Sequence, residues 1–330
     1  MEGIMAHNID SMAYYGEKPW HGLGVAVPSH VNAVTMIKAA GLDWEVEMRP
    51  APGAYIDKKG KANRYVLVRM PRQNTKEQEI LLGIVTNRYR PLQNVEAFQF
   101  FDPVVGDKKS SFETAGSLGQ GERVWVLARM PDAMRIVRDD ECYNYLLLSN
   151  THTGAGPVSV KFTSVRVVCQ NTLMLAMDDG QKAYIVRHSK NMHLRLDELA
   201  EFLSITQEVF LKAAQEFKRL AKVEMIKGRM NTYLETLFPL TEAQRKNDET
   251  PPKWQYIKEV FESRPDLQLG GVRGTLWGAY NAVVAFEDYR QPKQEEPGDQ
   301  RLERTWFGSG ADLKQKALAK ASELATAWLN

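Results

Sequence analysis

Cysteine is nearly missing from this chain of 330 residues: Cys142 and Cys169 are its only two, with no CxxC pair and no histidine at metal-ligand spacing. That argues against a disulfide framework and against a zinc site, and it suits a reducing compartment. The opening residues lack a basic stretch followed by an apolar core, so no signal peptide is expected. No apolar run nears the roughly 20 residues needed to cross a bilayer. The expectation is a cytoplasmic protein that makes no membrane contact. A strong charge of one sign is also missing, with Lys+Arg 43 against Asp+Glu 41 and a net charge of +2. Proteins that coat nucleic acid are often more basic, so any basic surface here must be local. Three specific catalytic signatures are absent as well: the G-x-x-x-x-G-K-[ST] phosphate loop, the G-x-S-x-G nucleophile elbow and the H-E-x-x-H zinc helix. There is no internal repeat. These absences favour a binding protein over an enzyme, with no cofactor.

What is present is an ordinary folded composition, 43% hydrophobic and 25% charged, and its patterning predicts an α+β chain. Residues 1–30 form an aromatic, Gly-rich arm (YYGEKPWHGLG) that needs something to pack on. A mixed core follows over 31–228: a helix at 31–40, then strands at 44–48, 65–70 and 80–89, and an amphipathic helix from Asn94 to Val105. The Gly- and Ser-rich KKSSFETAGSLGQGE reads as a loop. Strands are predicted at 123–130, 143–149, 157–169 and 183–187, with 150–156 as a hairpin loop; together they make an antiparallel sheet. Apolar residues at helical spacing from Leu196 to Ile226 predict one long helix packed on that sheet. Residues 229–330 read as a helical C-terminal domain, with helices at 229–237, 254–263, 275–289 and 312–328, a polar turn near 241–252 and a solvated loop at 290–304.

Basic and aromatic residues recur on the predicted strands. Arg88, Tyr89 and Arg90 end one of them, and Arg123 and Trp125 share a face of the next because strand side chains alternate. On the strand from Pro157, alternation puts Phe162 and Arg166 on one face and Lys161 on the other. Arg187, His188 and Lys190 sit at a strand-to-helix junction, where they could bind phosphate or simply be solvated. Single-strand binding wants cations for phosphates and often aromatic planes for bases. These residue types fit that need, although half-exposed strands carry them for other reasons. His7 and His21, with Asp10 or Glu17, could belong to a metal-dependent nuclease, or to the ordered aromatic arm. The Gly116, Gly119, Gly121 cluster precedes a strand, whereas an anion site needs glycines that run into a helix. Asp178-Asp179 read as a turn.

Several unusual strings, MAHNIDSMAYYGEKPWHGLG near the start, NRYRPLQN at 87–94, SVRVVCQNTL at 164–173, GTLWGAYNAV at 274–283 and FGSGADLKQKAL at 307–318, resemble the phage- and plasmid-like proteins grouped as domain of unknown function 932. The resemblance spans nearly the whole chain and implies a mobile-element context. The order of a helix, hairpin strands and a long packing helix is similar, more distantly, to single-strand annealing proteins of the RecT/Redβ superfamily. That likeness implies rings or filaments of identical chains, which hold DNA in a basic groove and pair strands without ATP.

The expectation is therefore a single-stranded DNA-binding and annealing protein, acting as a homo-oligomer, with a host single-strand-binding protein as a further candidate partner. Arg88, Arg90, Arg123, Lys161, Arg166, Arg187 and Lys190 would neutralise phosphates, and Tyr89, Trp125 or Phe162 would stack bases. No catalytic or metal residue is assigned. The alternatives are a metal-dependent nuclease and a protein-interaction module that inhibits a host defence.

Overall fold

The computed structural model describes every residue except 1–8, 17–22, 29–30, 57, 59, 61, 100–109, 139, 167–170, 175–183, 190–205, 227, 290–301 and 330. The chain is α+β, with a large, mostly antiparallel sheet that has one parallel pair at its edge, a small antiparallel sheet and a C-terminal helix. It divides into two compact units. One holds 1–131, 145–162 and 179–206, and the other holds 132–144, 163–178 and 207–330.

In the first unit β1 (Ile9–Tyr14), β2 (Val25–Ala26), β6 (Ser111–Leu118), β7 (Arg123–Val137), β8 (Asp140–Thr151) and β9 (Val158–Arg166) run in the order β9-β8-β7-β6-β1-β2. β11 (Tyr184–Val186) pairs with the start of β9. A second sheet is the meander β3 (Val46–Pro50), β4 (Tyr65–Arg69) and β5 (Ile80–Val85). The helices α1 (Ala33–Ala39) and α2 (Asn94–Gln99) pack on each other. Asn32 caps α1 by accepting from Thr35 N at 2.9 Å, which satisfies one of the free donors of its first turn.

Several strands were hidden from sequence reading, β1 and β6 among them. β1 lies inside the predicted arm, yet Met12, Ala13 and Tyr14 are buried in the sheet. β6 occupies the predicted Gly- and Ser-rich loop. Its Gly116 lies opposite Trp125, where a Cβ would fall 2.4 Å from that indole and 2.5 Å from Ser11 O. Glycine in this strand marks a close approach between neighbours, not a break in pairing.

In the second unit the ends of β7, β8 and β9 join β10 (Asn171–Met174) and a helical array: α3 (Thr206–Leu220), α4 (Arg229–Leu237), α5 (Glu242–Lys246), α6 (Pro252–Ser263), α7 (Leu276–Tyr289) and α8 (Ser309–Leu329). Every residue of α7 from Leu276 to Asp288 is buried, as expected for a helix that is apolar on all sides. Ala317, Ala321 and Ala325 of α8 make a small-residue stripe, and Ala317 O accepts from Tyr233 of α4 at 3.0 Å. The predicted helix 196–226 is described from Thr206 and ends at Leu220, short of the expected Ile226. Its buried Phe217 meets Trp277 of α7 at 4.6 Å between ring centres. Helix α5 replaces the predicted polar turn, because Thr241 and Gln244 form a reciprocal capping box.

Candidate functional site

The segment that follows β5 is held by side chains from four places in the first unit. Arg90 N–H donates to His188 O at 3.3 Å, and His188 Nδ1 lies 3.1 Å from Arg90 O. A carbonyl oxygen only accepts, so Nδ1 carries the proton and Nε2 is a bare lone pair. Tyr89 stacks on the His188 ring at 4.6 Å and donates its hydroxyl to Thr151 O at 3.1 Å. Asn150 Nδ2 donates to Leu92 O at 2.9 Å. Gln93 exchanges two 2.9 Å bonds with the backbone of Val46, much as a neighbouring strand would.

Asn94 completes the segment. Its amide nitrogen donates to Leu42 O at 2.9 Å, which leaves its oxygen facing His152 Nε2 at 3.0 Å. Asn150 Nδ2 lies 3.3 Å from the same His152 nitrogen; the Asn94 oxygen calls for a protonated Nε2 and the Asn150 amide nitrogen for a bare one, so these contacts do not fix the tautomer of His152. Its ring meets Trp44 edge-on at 5.3 Å. Asn150 and His152 project from one side of the end of β8 because they are two residues apart. Both are fully buried. Among the described residues, His152 Nδ1, His188 Nε2, Asn150 Oδ1, Thr151 Oγ1 and Trp44 Nε1 meet no hydrogen-bond partner.

The electrostatics follow from this burial. Desolvation, with the neighbouring His188 as a second cause, pushes His152 down to about 3. His188 is lowered by burial too, against the pull of its bond to Arg90 O. Burial raises the Tyr89 hydroxyl. At neutral pH the site therefore has a neutral floor.

Three of the predicted basic residues neighbour this site in the chain, Arg88 and Arg90 on either side of Tyr89 and Arg187 before His188. Arg88 and Arg187 are exposed and Arg90 is half-buried. The paired backbones of Arg90 and His188 bring together residues that lie about a hundred positions apart. Arg90 Nη1 donates to Asn87 O at 3.0 Å and to Tyr89 O at 2.7 Å. Among the described residues, none of the three arginines is bonded to a carboxylate. Lys190, His193, His7, His21, Glu17 and Asp178-Asp179 lie outside the described residues.

The other predicted contacts are placed differently. Trp125, Phe162 and Arg166 are each less than 2 % exposed, so neither aromatic ring offers a plane to a base and Arg166 offers nothing to a phosphate. For Phe162 and Arg166 the cause is the alternation of β9, whose face of Val158, Val160, Phe162, Ser164 and Arg166 is buried throughout, whereas Trp125 lies on β7 opposite Gly116. Arg166 instead bonds Asp140 at 2.6 Å and Asp266 at 2.7 Å. Tyr89 is buried against His188. Arg123 is half-buried and donates to Ser149 at 2.9 Å, and Lys161 is half-buried as well. Sequence reading missed Asn94, Asn150 and His152. The usable signal was the alternation of Asn150 and His152 in a stretch read as a loop.

A separate open cleft of about 600 Å³ lies among Asp10, Arg69, Glu77, Glu79, Leu81 and Gln120. Its carboxylates are answered by Arg69, Arg72 and Arg49. Arg69 is committed to Asp10 and Gln120 O and lies over Trp44. Anions are poorly served there. Among the described residues no group of three His, Cys, Asp or Glu could hold a metal ion, and no helix is long and apolar enough to cross a membrane.

The family model described as a domain of unknown function, DUF932, matches residues 81–306, well over half of the chain. The chain belongs to the DUF932 family. The DUF932 match takes in the Arg88–Asn94 segment, Asn150, His152 and His188, and it leaves out Trp44 and the Asp10–Arg69 pair. No curated protein and no solved structure matches the chain.

Proposed function

We propose that this DUF932 chain binds single-stranded DNA through its backbone phosphates at the rim of Arg88, Arg90 and Arg187, and that the binding serves ATP-independent strand annealing by an assembly of identical chains on a mobile element. The observation that carries the binding is that Arg88 and Arg187 are exposed and Arg90 half-buried, on two segments whose backbones meet at Arg90 and His188, while among the described residues none of the three is bonded to a carboxylate. In a chain with a net charge of only +2, such a local cluster is where a polyanion would settle. Guanidinium groups suit phosphate because their planar forks donate two parallel bonds. The annealing part and its annealing-protein-like core draw support from the resemblance in strand and helix order and from the family strings.

The geometry narrows the mode of binding. With Trp125 and Phe162 buried and Tyr89 stacked on His188, base stacking gives way to phosphate contact, which is indifferent to sequence. Titration of a labelled oligo-dT at several salt concentrations tests this. Binding should weaken as salt rises, with the slope of log affinity against log salt shrinking by about 0.7 for each phosphate contact removed. Replacing Arg88 and Arg187 together by alanine should flatten that slope by about 1.4. An unchanged slope would remove the rim from the interface. No binding at low salt would end the proposal, and binding without any speeding of complementary-strand pairing would leave only its first half.

A further inference from the structure

Arg88 and Arg90 follow β5, which pairs with β4 in the small sheet, whereas Arg187 follows β11, which pairs with β9 in the large one. The two segments thus leave different sheets, and neither pairing sets where one lies against the other. His188 joins them. Its carbonyl accepts from Arg90 N–H at 3.3 Å, its Nδ1–H donates to Arg90 O at 3.1 Å, and its ring stacks on Tyr89 at 4.6 Å. One buried residue therefore holds both backbone polar groups of Arg90 and the ring that precedes it. Other anchors tie the Arg90 segment to β8 instead: the Tyr89 hydroxyl donates to Thr151 O, and Asn150 donates to Leu92 O. Cutting the bond at Arg90 O would leave that segment anchored and loosen its hold on the segment of Arg187.

We propose that His188 is a positioning residue for the phosphate contacts: its ring N–H on Arg90 O clasps the two arginine-bearing segments together, so that a single strand of DNA meets both. The inference rests on the nucleic-acid reading above and names the side chain that makes two separate segments one site. His188 acts through the arginines and not on the ligand. Segments already held in place need no ordering when the strand arrives, and binding loses less conformational entropy. Without the clasp, the segment that keeps its anchors to β8 retains its contacts and Arg187 drops out. A chain that already lacks the Arg187 side chain then has nothing further to lose. A residue that only supported the fold would weaken both chains alike, which a double-mutant cycle detects.

Two substitutions separate the ring from its bond. His188→Phe keeps a ring for Tyr89 but has no N–H for Arg90 O; His188→Asn keeps a donor at the same number of bonds from the backbone but has no ring. Each is titrated as the full chain with labelled oligo-dT over a range of salt, alone and combined with Arg187→Ala. His188→Phe should lower the slope of log affinity against log salt by about 0.7, as Arg187→Ala does, and should add no further loss to Arg187→Ala. His188→Asn should bind as the unaltered chain does. An unchanged slope in His188→Phe overturns the inference and leaves the rim intact. An equal loss in both backgrounds also overturns it, by showing that His188 acts apart from Arg187, as does a His188→Asn variant as weak as His188→Phe. If His188→Phe fails to fold, His188→Leu, close to Asn in shape and without a donor, takes its place under the same expectations, and His188→Asn must still keep the full slope. Absence of binding by the unaltered chain at low salt removes the nucleic-acid reading and this one together.

Discussion

Arg166 and Arg187 come from neighbouring basic strings of the sequence, yet one is sealed among carboxylates and the other stands in solvent with none. The contrast extends to their surroundings. In the second unit Arg166 bonds Asp140 and Asp266, Arg304 bonds Glu287, and Lys314 bonds Asp288. Trp277 adds its indole N–H to Asp140 at 2.7 Å. Each of these cations answers a buried negative charge. In the first unit Arg88 and Arg90 flank Tyr89 in the chain and Arg187 precedes His188, and among the described residues none of the three is bonded to a carboxylate. A buried cation with anionic partners has its interaction capacity filled by the fold, whereas an exposed one without them keeps it for a ligand. Counting basic residues along a strand cannot separate the two cases; counting their carboxylate partners can.

The sharpest way to break the comparison is to replace Arg166 by alanine. That leaves Asp140 and Asp266 buried without their cation, and the loss of one partner from such a network costs about 3–5 kcal/mol. Thermal melts should show a large drop in Tm or an insoluble product. If Arg166→Ala melts like the unaltered chain, the network is not structural and Arg166 returns to the list of possible ligand contacts.

Most of the β strands from Arg123 onward, though not β10, and most of the C-terminal helices were legible because their apolar residues follow a period of two or of 3.6. β1 and β6 were not, for reasons particular to their residues. Tyr14 and Met12 of β1 sit in a string whose glycine and proline dominate its appearance. β6 carries Gly116 because Trp125 and the backbone of Ser11 leave no room for a Cβ. At the site, Arg88, Arg90 and Arg187 were legible as basic residues at strand ends. Their meeting was not, since it depends on the bond pair between Arg90 and His188. The burial of Trp125 and Phe162 was half legible: alternation assigns each a face without saying which face is covered.

The second test uses acid, to which the two regions respond through different groups. His152 and His188 are held below their unfolded value of about 6.5 by burial, His152 down to about 3. A depressed histidine binds its proton more readily in the unfolded chain. Its contribution is therefore complete above about pH 6.5 and is lost as pH falls toward the folded value. The slope is up to about 1.4 kcal/mol per pH unit for each histidine. Denaturation midpoints measured between about pH 7 and about pH 4 should fall in the unaltered chain and fall less in His152→Gln. Equal slopes in the two proteins would mean that His152 is not held neutral by its surroundings.

The smallest expected change in stability is the most telling about function. Arg88 and Arg187 are exposed and among the described residues meet no carboxylate, so replacing both by alanine removes no buried contact. Surface changes of this kind stay within about 0.5 kcal/mol. The expected melt is therefore that of the unaltered chain, with the loss confined to affinity for oligo-dT and its salt dependence. A variant that loses stability along with affinity would mean that these two arginines hold the fold together as Arg166 does, and the distinction between the two sets of cations would collapse. A variant that keeps both would leave the distinction standing but empty the rim of its proposed ligand. Only an intact fold with weakened binding assigns the uncompensated charge to work outside the fold.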